Sequence, residues 1–226
     1  MMNRDAYKLF SLILQCVKGF LFVSIFLFGA AGSFSYPEIW IFLLGLFVFA
    51  FSFIFWLHFC YPNQITNRLK FGETDAKQRS IVIMLYIITV IALIISGLDM
   101  RFNWSAPSHF RYIPAAFLFL VSAFIYRNVF ISNPFLSNTL EIQNEHKVVI
   151  SGMYGIVRHP MYLATLLLFI SGLLVLGSWI NILMIFAFVL LLTKRIAFEE
   201  KQLLASIPEY KKYTLSTKFR LVPYVW

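Results

Sequence analysis

Four stretches of this chain are each long and apolar enough to cross a bilayer, and no water-soluble fold accommodates that many. A spanning helix needs about 20 apolar residues. The runs from about Leu9 to Ala31, Glu38 to Cys60, Ser80 to Leu98 and Tyr112 to Ser132 all meet that requirement. Lys18 interrupts the first, where it reads as a snorkelling side chain or a polar contact between helices. Trp40 and Trp56 lie near the two ends of the second, like an aromatic belt. Two shorter runs follow, Leu163 to Leu176 and Trp179 to Thr193, split by Gly177–Ser178, which reads as a tight turn between helices. Their lengths are marginal for separate spans and predict a hairpin of short or tilted helices. The expected fold class is therefore all-α: a polytopic membrane helix bundle with four full spans plus a C-terminal helical hairpin.

Composition removes the alternatives. The chain is 60% hydrophobic and 13% charged, against about 25% charged residues in a soluble domain. A soluble domain and an intrinsically disordered chain are both excluded on that ground. Cys16 and Cys60 lie in apolar runs, supply no disulfide framework and no metal pattern, and read as small apolar fillers. The net charge of +9 is spread over loops rather than gathered on one face, so no nucleic-acid partner is expected. The first run does not read as a cleaved signal peptide. It is too long, it holds a lysine, and Gly29-Ala30-Ala31-Gly32 leads directly into another span.

Basic residues set the expected orientation. With a cytoplasmic N-terminus, of the 19 lysines and arginines only Arg101 and Arg111 fall in loops on the far side. Lys18 and Arg127 lie within spans, and all the rest are inside. Both termini are expected in the cytoplasm, with the loops 33–37 and 99–111 outside. The loop 61–79 reads as a solvated cytoplasmic turn, and Arg127 as a snorkelling arginine at a span end. Polar and titratable residues gather in 133–160 and 194–226, so chemistry is expected on the cytoplasmic face.

Within the first of these segments, Val148 to Ile150 is β-favouring, Ser151-Gly152 signals a turn, and Arg158-His159-Pro160 precedes an apolar helix. Proline suits the first turn of a helix, where its missing N–H costs nothing. Arg158 and His159 then sit at a helix entrance, where unpaired backbone N–H groups suit a polar or anionic ligand. Gly152 permits a positive φ or a close backbone approach. In the second segment Arg195 and Glu199 are four apart, share a helix face and can pair. Taken alone, that spacing fits an exposed ion pair on a surface helix. Tyr210, Tyr213, Arg220 and Pro223 follow.

The string His146-x-Val-Val-x-Ser-Gly152-x-Tyr154-x-x-x-Arg158-His159-Pro160-x-Tyr162 resembles the signature of the isoprenylcysteine carboxyl methyltransferases and their phospholipid methyltransferase relatives. The continuation also matches that family's pattern: Arg195, Glu199-Glu200, Leu203, Tyr210, Tyr213 and Pro223. The resemblance covers residues from Asn138 to the end. The preceding spans match only in kind, apart from a weaker likeness of Gly97 to Trp104 to a loop of prokaryotic members. It implies residues 1–132 as N-terminal transmembrane helices on the variable substrate side, and 133–226 as the methyltransferase core. It also implies an integral membrane enzyme using S-adenosylmethionine, with no metal. His146, Gly152, Tyr154, His159, Pro160, Tyr162, Glu199 and Glu200 map onto cofactor-binding positions, and Arg158, Arg195 and Glu199 onto catalytic ones. The implied acceptor is a lipophilic or prenylated molecule, an isoprenylcysteine-like carboxylate or a lipid amine, with O-methyl transfer ahead of N-methyl. The residues themselves leave that choice open, and the oligomeric state with it. The implied location is the inner membrane in a prokaryote, or the endoplasmic reticulum in a eukaryote.

Two other readings compete. Membrane NADPH-dependent reductases of the steroid 5-alpha type carry a similar Arg-His-Pro motif, but usually follow it with Asn-Tyr, where this chain has Met161-Tyr162. A transporter or scaffold would more often place its charges at mid-membrane, whereas here they cluster at the face.

Overall fold

The computed structural model describes residues 4–60, 75–133 and 148–226. Every regular element among them is a helix. Five helical stretches are long and apolar enough to span a membrane: Leu9–Ala31, Pro37–Cys60, Ala76–Phe102, His109–Ser132 and Trp179–Ser206. The fold class expected from the apolar runs is the one observed.

Helices α1 (Arg4–Ala31) and α2 (Pro37–Cys60) are joined at Gly32, whose φ of +69° turns the chain after the last helical residue. Helix α3 (Ala76–Phe102) is capped by Asp75, whose carboxylate accepts from the amides of Lys77 and Gln78. It runs past Leu98 and stops at Asn103, in the left-handed region, so the connection expected over 99–111 is shorter than the apolar run suggested. Gly97 explains how closely α3 meets α1. A Cβ there would lie 2.7 Å from both the Ala30 Cβ and the Leu27 carbonyl. Small residues at such a crossing are how helices pack in lipid, where burial alone supplies little attraction.

Helix α4 (Tyr112–Ser132) lies along α5 (Pro160–Leu176). Hydroxyls knit the two together. Ser122 donates to the Ala164 carbonyl and Ser171 to the Ala115 carbonyl, each at 2.8 Å, and the Tyr126 and Thr165 hydroxyls meet at 2.6 Å. Pro160 occupies the first turn of α5, and Gly177 ends it with a φ of +78°, so both punctuation marks act as the sequence implied. The hairpin's first arm is short, 17 residues. Its second arm is not. Helix α6 (Ile182–Ser206) has 25 residues and carries the chain well beyond its apolar run. The residues after Thr193 are mostly strong helix formers, and they continue the helix unbroken. Asn181 fastens the turn to α3, donating to the Ser96 hydroxyl at 2.7 Å. A short helix α7 (Pro208–Ser216) and a tail folded back to Trp226 complete the chain. The β-favouring segment 148–150 is irregular. Lys18 and Arg127 are exposed on the outside of the bundle.

Candidate active site

Two adjacent glutamates on α6 divide the site between them. Successive residues of an α-helix point about 100° apart, so Glu199 and Glu200 face different partners. Glu200 turns inward. Its carboxylate accepts from Arg158 Nε at 2.6 Å and from Arg220 Nε at 2.9 Å, with His159 Nε2 at 3.3 Å. Arg158 is buried, and its Nη1 donates to the carbonyls of Thr217 and Lys218 at 2.8 and 3.0 Å. The backbone amides of Arg158 and His159 donate to the carbonyls of Phe219 and Arg220, both at 2.9 Å. The entrance of α5 is therefore closed by the C-terminal tail. The open amides expected at Arg158 and His159 are occupied, because the tail supplies the carbonyls that a helix N-terminus lacks.

Glu199 faces the other way. Its Oε2 accepts from the Tyr162 hydroxyl at 2.7 Å and lies 4.0 Å from His159 Nδ1. Arg195 Nε donates to the same Tyr162 hydroxyl at 2.8 Å, and its guanidinium stands 5.3 Å over the Tyr162 ring. Arg195 and Glu199 are thus linked through a tyrosine oxygen, where the four-residue spacing had suggested a simple ion pair. His159, the residue before α5, and Tyr162 in its first turn stack with an interplanar angle of 12°. Among the described residues Glu199 Oε1 has no partner, so one carboxylate oxygen of the pair is left for a ligand.

The turn before α5 completes the arrangement. Gly152 has a φ of +61°, which favours glycine, and a Cβ there would fall 2.6 Å from the Ser132 hydroxyl and push it aside. The Tyr154 carbonyl accepts from the Tyr213 hydroxyl at 2.7 Å and from Thr217 Oγ1 at 3.3 Å, while its own hydroxyl accepts from Asn133 at 3.2 Å. Burial pushes the Tyr210 and Tyr213 hydroxyls well above the usual tyrosine range, which keeps both neutral.

The structure thus gathers Arg158, His159, Pro160, Tyr162, Arg195, Glu199 and Glu200 at one end of α5 and α6, with Gly152 and Tyr154 on the adjoining turn. His146 lies outside the described residues. Arg220, Thr217 and Asn133 join the cluster without having been singled out as site residues. Arg220 was visible only as one basic residue near the terminus, and no spacing pointed it at Glu200.

The fold and this cluster define a multi-pass membrane protein with a polar, titratable site at one end of its helices. Residues 115–205 match the family model for the isoprenylcysteine carboxyl methyltransferase (ICMT) family, a methyltransferase family. The resemblance read from the motifs is borne out. No curated protein matches the chain.

Proposed function

We propose that the protein is an integral membrane methyltransferase that takes its methyl group from S-adenosylmethionine and passes it to a lipophilic acceptor at the cytoplasmic face. On this reading residues 1–132 shape the acceptor side and 133–226 hold the methyl donor. The observation that carries the reading is the Tyr162 hydroxyl, which gathers Glu199 and Arg195 on one face beside the membrane. The donor set fits the cofactor in kind. The open oxygen of Glu199 suits ribose hydroxyls or a cationic amino group, and tyrosine faces suit a sulfonium cation. Bound there, the cofactor would supply a methyl group on a cationic sulfur leaving group.

The chain's own residues have two tasks. The first is alignment, since holding reactants in line can supply about 7–11 kcal/mol. The cluster supports this by fixing each side chain through a second one, Glu199 through Tyr162 and His159 through Glu200. The second is charge. Among the described residues the cluster carries Arg158, Arg195 and Arg220 against Glu199 and Glu200. A guanidinium can hold a carboxylate acceptor through two parallel N–H groups, which supports O-methyl transfer. A carboxylate is already ionised and needs orientation and desolvation rather than a base. A lipid amine would need its proton removed, a role open to Glu199.

The test is equilibrium binding of S-adenosylhomocysteine and of NADPH to the purified protein. Mass spectrometry of membrane lipids after incubation with labelled methyl donor accompanies it. Binding of S-adenosylhomocysteine with a labelled lipophilic product is the expected result. Binding of NADPH alone would replace this reading with the reductase.

A further inference from the structure

Helices α3 and α6 run antiparallel and in step. At one end Asn181, just before α6, donates to the Ser96 hydroxyl of α3. At the other, Gln202 Nε2 of α6 donates to Asp75 Oδ2, the cap of α3, at 3.4 Å. The stretch from Asp75 to Ser96 has as many residues as the stretch from Asn181 to Gln202. Gln78, three residues past Asp75, therefore falls level with Glu199, three before Gln202. Both side chains belong to the facing sides. Gln78 lies one and two heptads before Leu85 and Ala92. Leu85 packs against the apolar cluster that holds Leu192 and Ile196, and the Ala92 carbonyl accepts from Asn181. Gln78 is fully buried, while Lys77 and Arg79 beside it are exposed. On α6, Arg195, Glu199 and Gln202 are spaced by four and three and share a face. The contacts of Gln202 with Asp75 and of Phe198 with Lys77 turn that region of α6 toward the start of α3.

Among the described residues only Gln78 buries a side-chain amide with neither its oxygen nor its nitrogen partnered. Burying such a group without partners costs free energy, and folded chains rarely tolerate it. Arg111, buried at the other end of the bundle, shows the ordinary outcome. Its Nε donates to the Val175 carbonyl, Nη1 to the Pro107 and Ser108 carbonyls, and Nη2 to Glu38 Oε1 and the Tyr112 hydroxyl. Gln78 instead keeps two N–H donors and a carbonyl acceptor unused, level with the Glu199 oxygen that has no partner. Packed helices lie about 8–10 Å apart, and three side-chain torsions let the amide swing toward Glu199. The chemistry of the three groups defines what they can hold together. Glu199 is an anion, Arg195 a cation, and the amide is donor and acceptor at once. A small zwitterion meets all three. Its ammonium suits Glu199 and the Gln78 carbonyl, and its carboxylate suits Arg195 and the Gln78 N–H groups.

We propose that Gln78 holds the amino-acid end of the methyl donor, whose ammonium and carboxylate sit between Gln78 and the Arg195–Glu199 pair. The proposal rests on the methyl-donor reading above. It adds a donor contact from residues 1–132, the half assigned there to the acceptor.

The experiment is equilibrium binding of two ligands to the purified full-length protein in detergent, with thermal unfolding of the ligand-free protein beside it. S-adenosylhomocysteine carries the amino-acid end, whereas 5′-methylthioadenosine keeps the adenosine and sulfur and lacks it. The variant is Gln78→Met, which replaces the amide at nearly the same length and volume. Its affinity for S-adenosylhomocysteine should fall about tenfold, the change expected when a bond to a charged group is lost. Its affinity for methylthioadenosine should stay as it is. Its ligand-free melting temperature should not fall, because no partner of the amide is removed. Should Gln78→Met fail to fold, Gln78→Asn, which draws the amide back by one methylene, should show the same selective loss. Unchanged affinity for S-adenosylhomocysteine would overturn the proposal, and so would an equal loss for both ligands. Wild type binding the two ligands equally would also overturn it while leaving the methyl-donor reading in place. Wild type binding neither would remove that reading and the proposal with it.

Discussion

Both ends of the bundle bury an arginine beside a carboxylate, and they differ in which partner is used up. At the α5 entrance Glu200 is saturated by Arg158, Arg220 and His159, with its side chain only 6% exposed. At the far end Arg111 is saturated, while the Glu38 side chain is 22% exposed and binds through one oxygen. At the first end the open oxygen belongs to the neighbouring Glu199, and at the second it belongs to the paired carboxylate itself. A buried ion pair on its own says little about binding. The group left unsatisfied beside it sets the charge of the ligand that end can accept.

The largest expected effect breaks the saturated pair. Glu200→Ala leaves Arg158 buried without its counter-charge and frees the tail from α6. Removing one partner of a buried pair costs about 3–5 kcal/mol, so thermal unfolding in detergent should fall markedly. Proteolysis within 217–226 should become faster than in wild type. A wild-type melting curve would mean that the backbone bonds from Phe219 and Arg220 hold the tail unaided.

The neighbouring glutamate should respond differently. Glu199→Gln keeps a partner for Tyr162 and should change stability by under about 1 kcal/mol. The proposed contact with the methyl donor is charge-assisted and worth about 1.5–3 kcal/mol. Affinity for S-adenosylhomocysteine should then fall roughly 10- to 150-fold. Loss of stability with intact affinity would reverse the roles assigned to the two glutamates.

The contrast between the ends also marks what could be read from the residues alone. Apolar run length gave the spans, and Pro160 and Gly177 gave the limits of α5, because both signals are local. The paired glutamates were visible as a motif. Their division was not, since it depends on Arg220 and Thr217 returning from the far side of α7. Arg111 read as one of two arginines in the outer loop 99–111. Its partners Glu38 and Val175 are 73 and 64 residues away, and no periodicity links them. The continuation of α6 past its apolar run was legible too, because Arg195 to Leu203 extends that run in helix-forming residues, and an apolar run ends where the lipid does rather than where the helix does.

Each end also holds a glycine with positive φ, which gives a finer comparison. Gly152→Ala and Gly177→Ala both force a side chain into the left-handed region. At Gly177 the new Cβ would also fall 2.8 Å from Pro107 Cγ. Each should cost about 1–3 kcal/mol in thermal unfolding. Only Gly152→Ala should weaken S-adenosylhomocysteine binding, because only Gly152 adjoins the cluster. Equal loss of affinity in both would point to a bundle that transmits strain from end to end.

The smallest effect belongs to the partly exposed pair. Glu38→Gln removes the charge facing Arg111, but the amide oxygen still accepts from Nη2. The remaining N–H groups of Arg111 keep their carbonyl and hydroxyl partners. The desolvation already borne by that arginine is thus still largely compensated. The expected loss is about 1 kcal/mol, the net worth of one hydrogen bond, against the several expected at Glu200. Unfolding of both variants in the same detergent gives the comparison directly. A loss at Glu38 as large as that at Glu200 would mean that charge, rather than the count of satisfied donors, holds Arg111 in place. The far end would then depend on its ion pair just as the α5 entrance does.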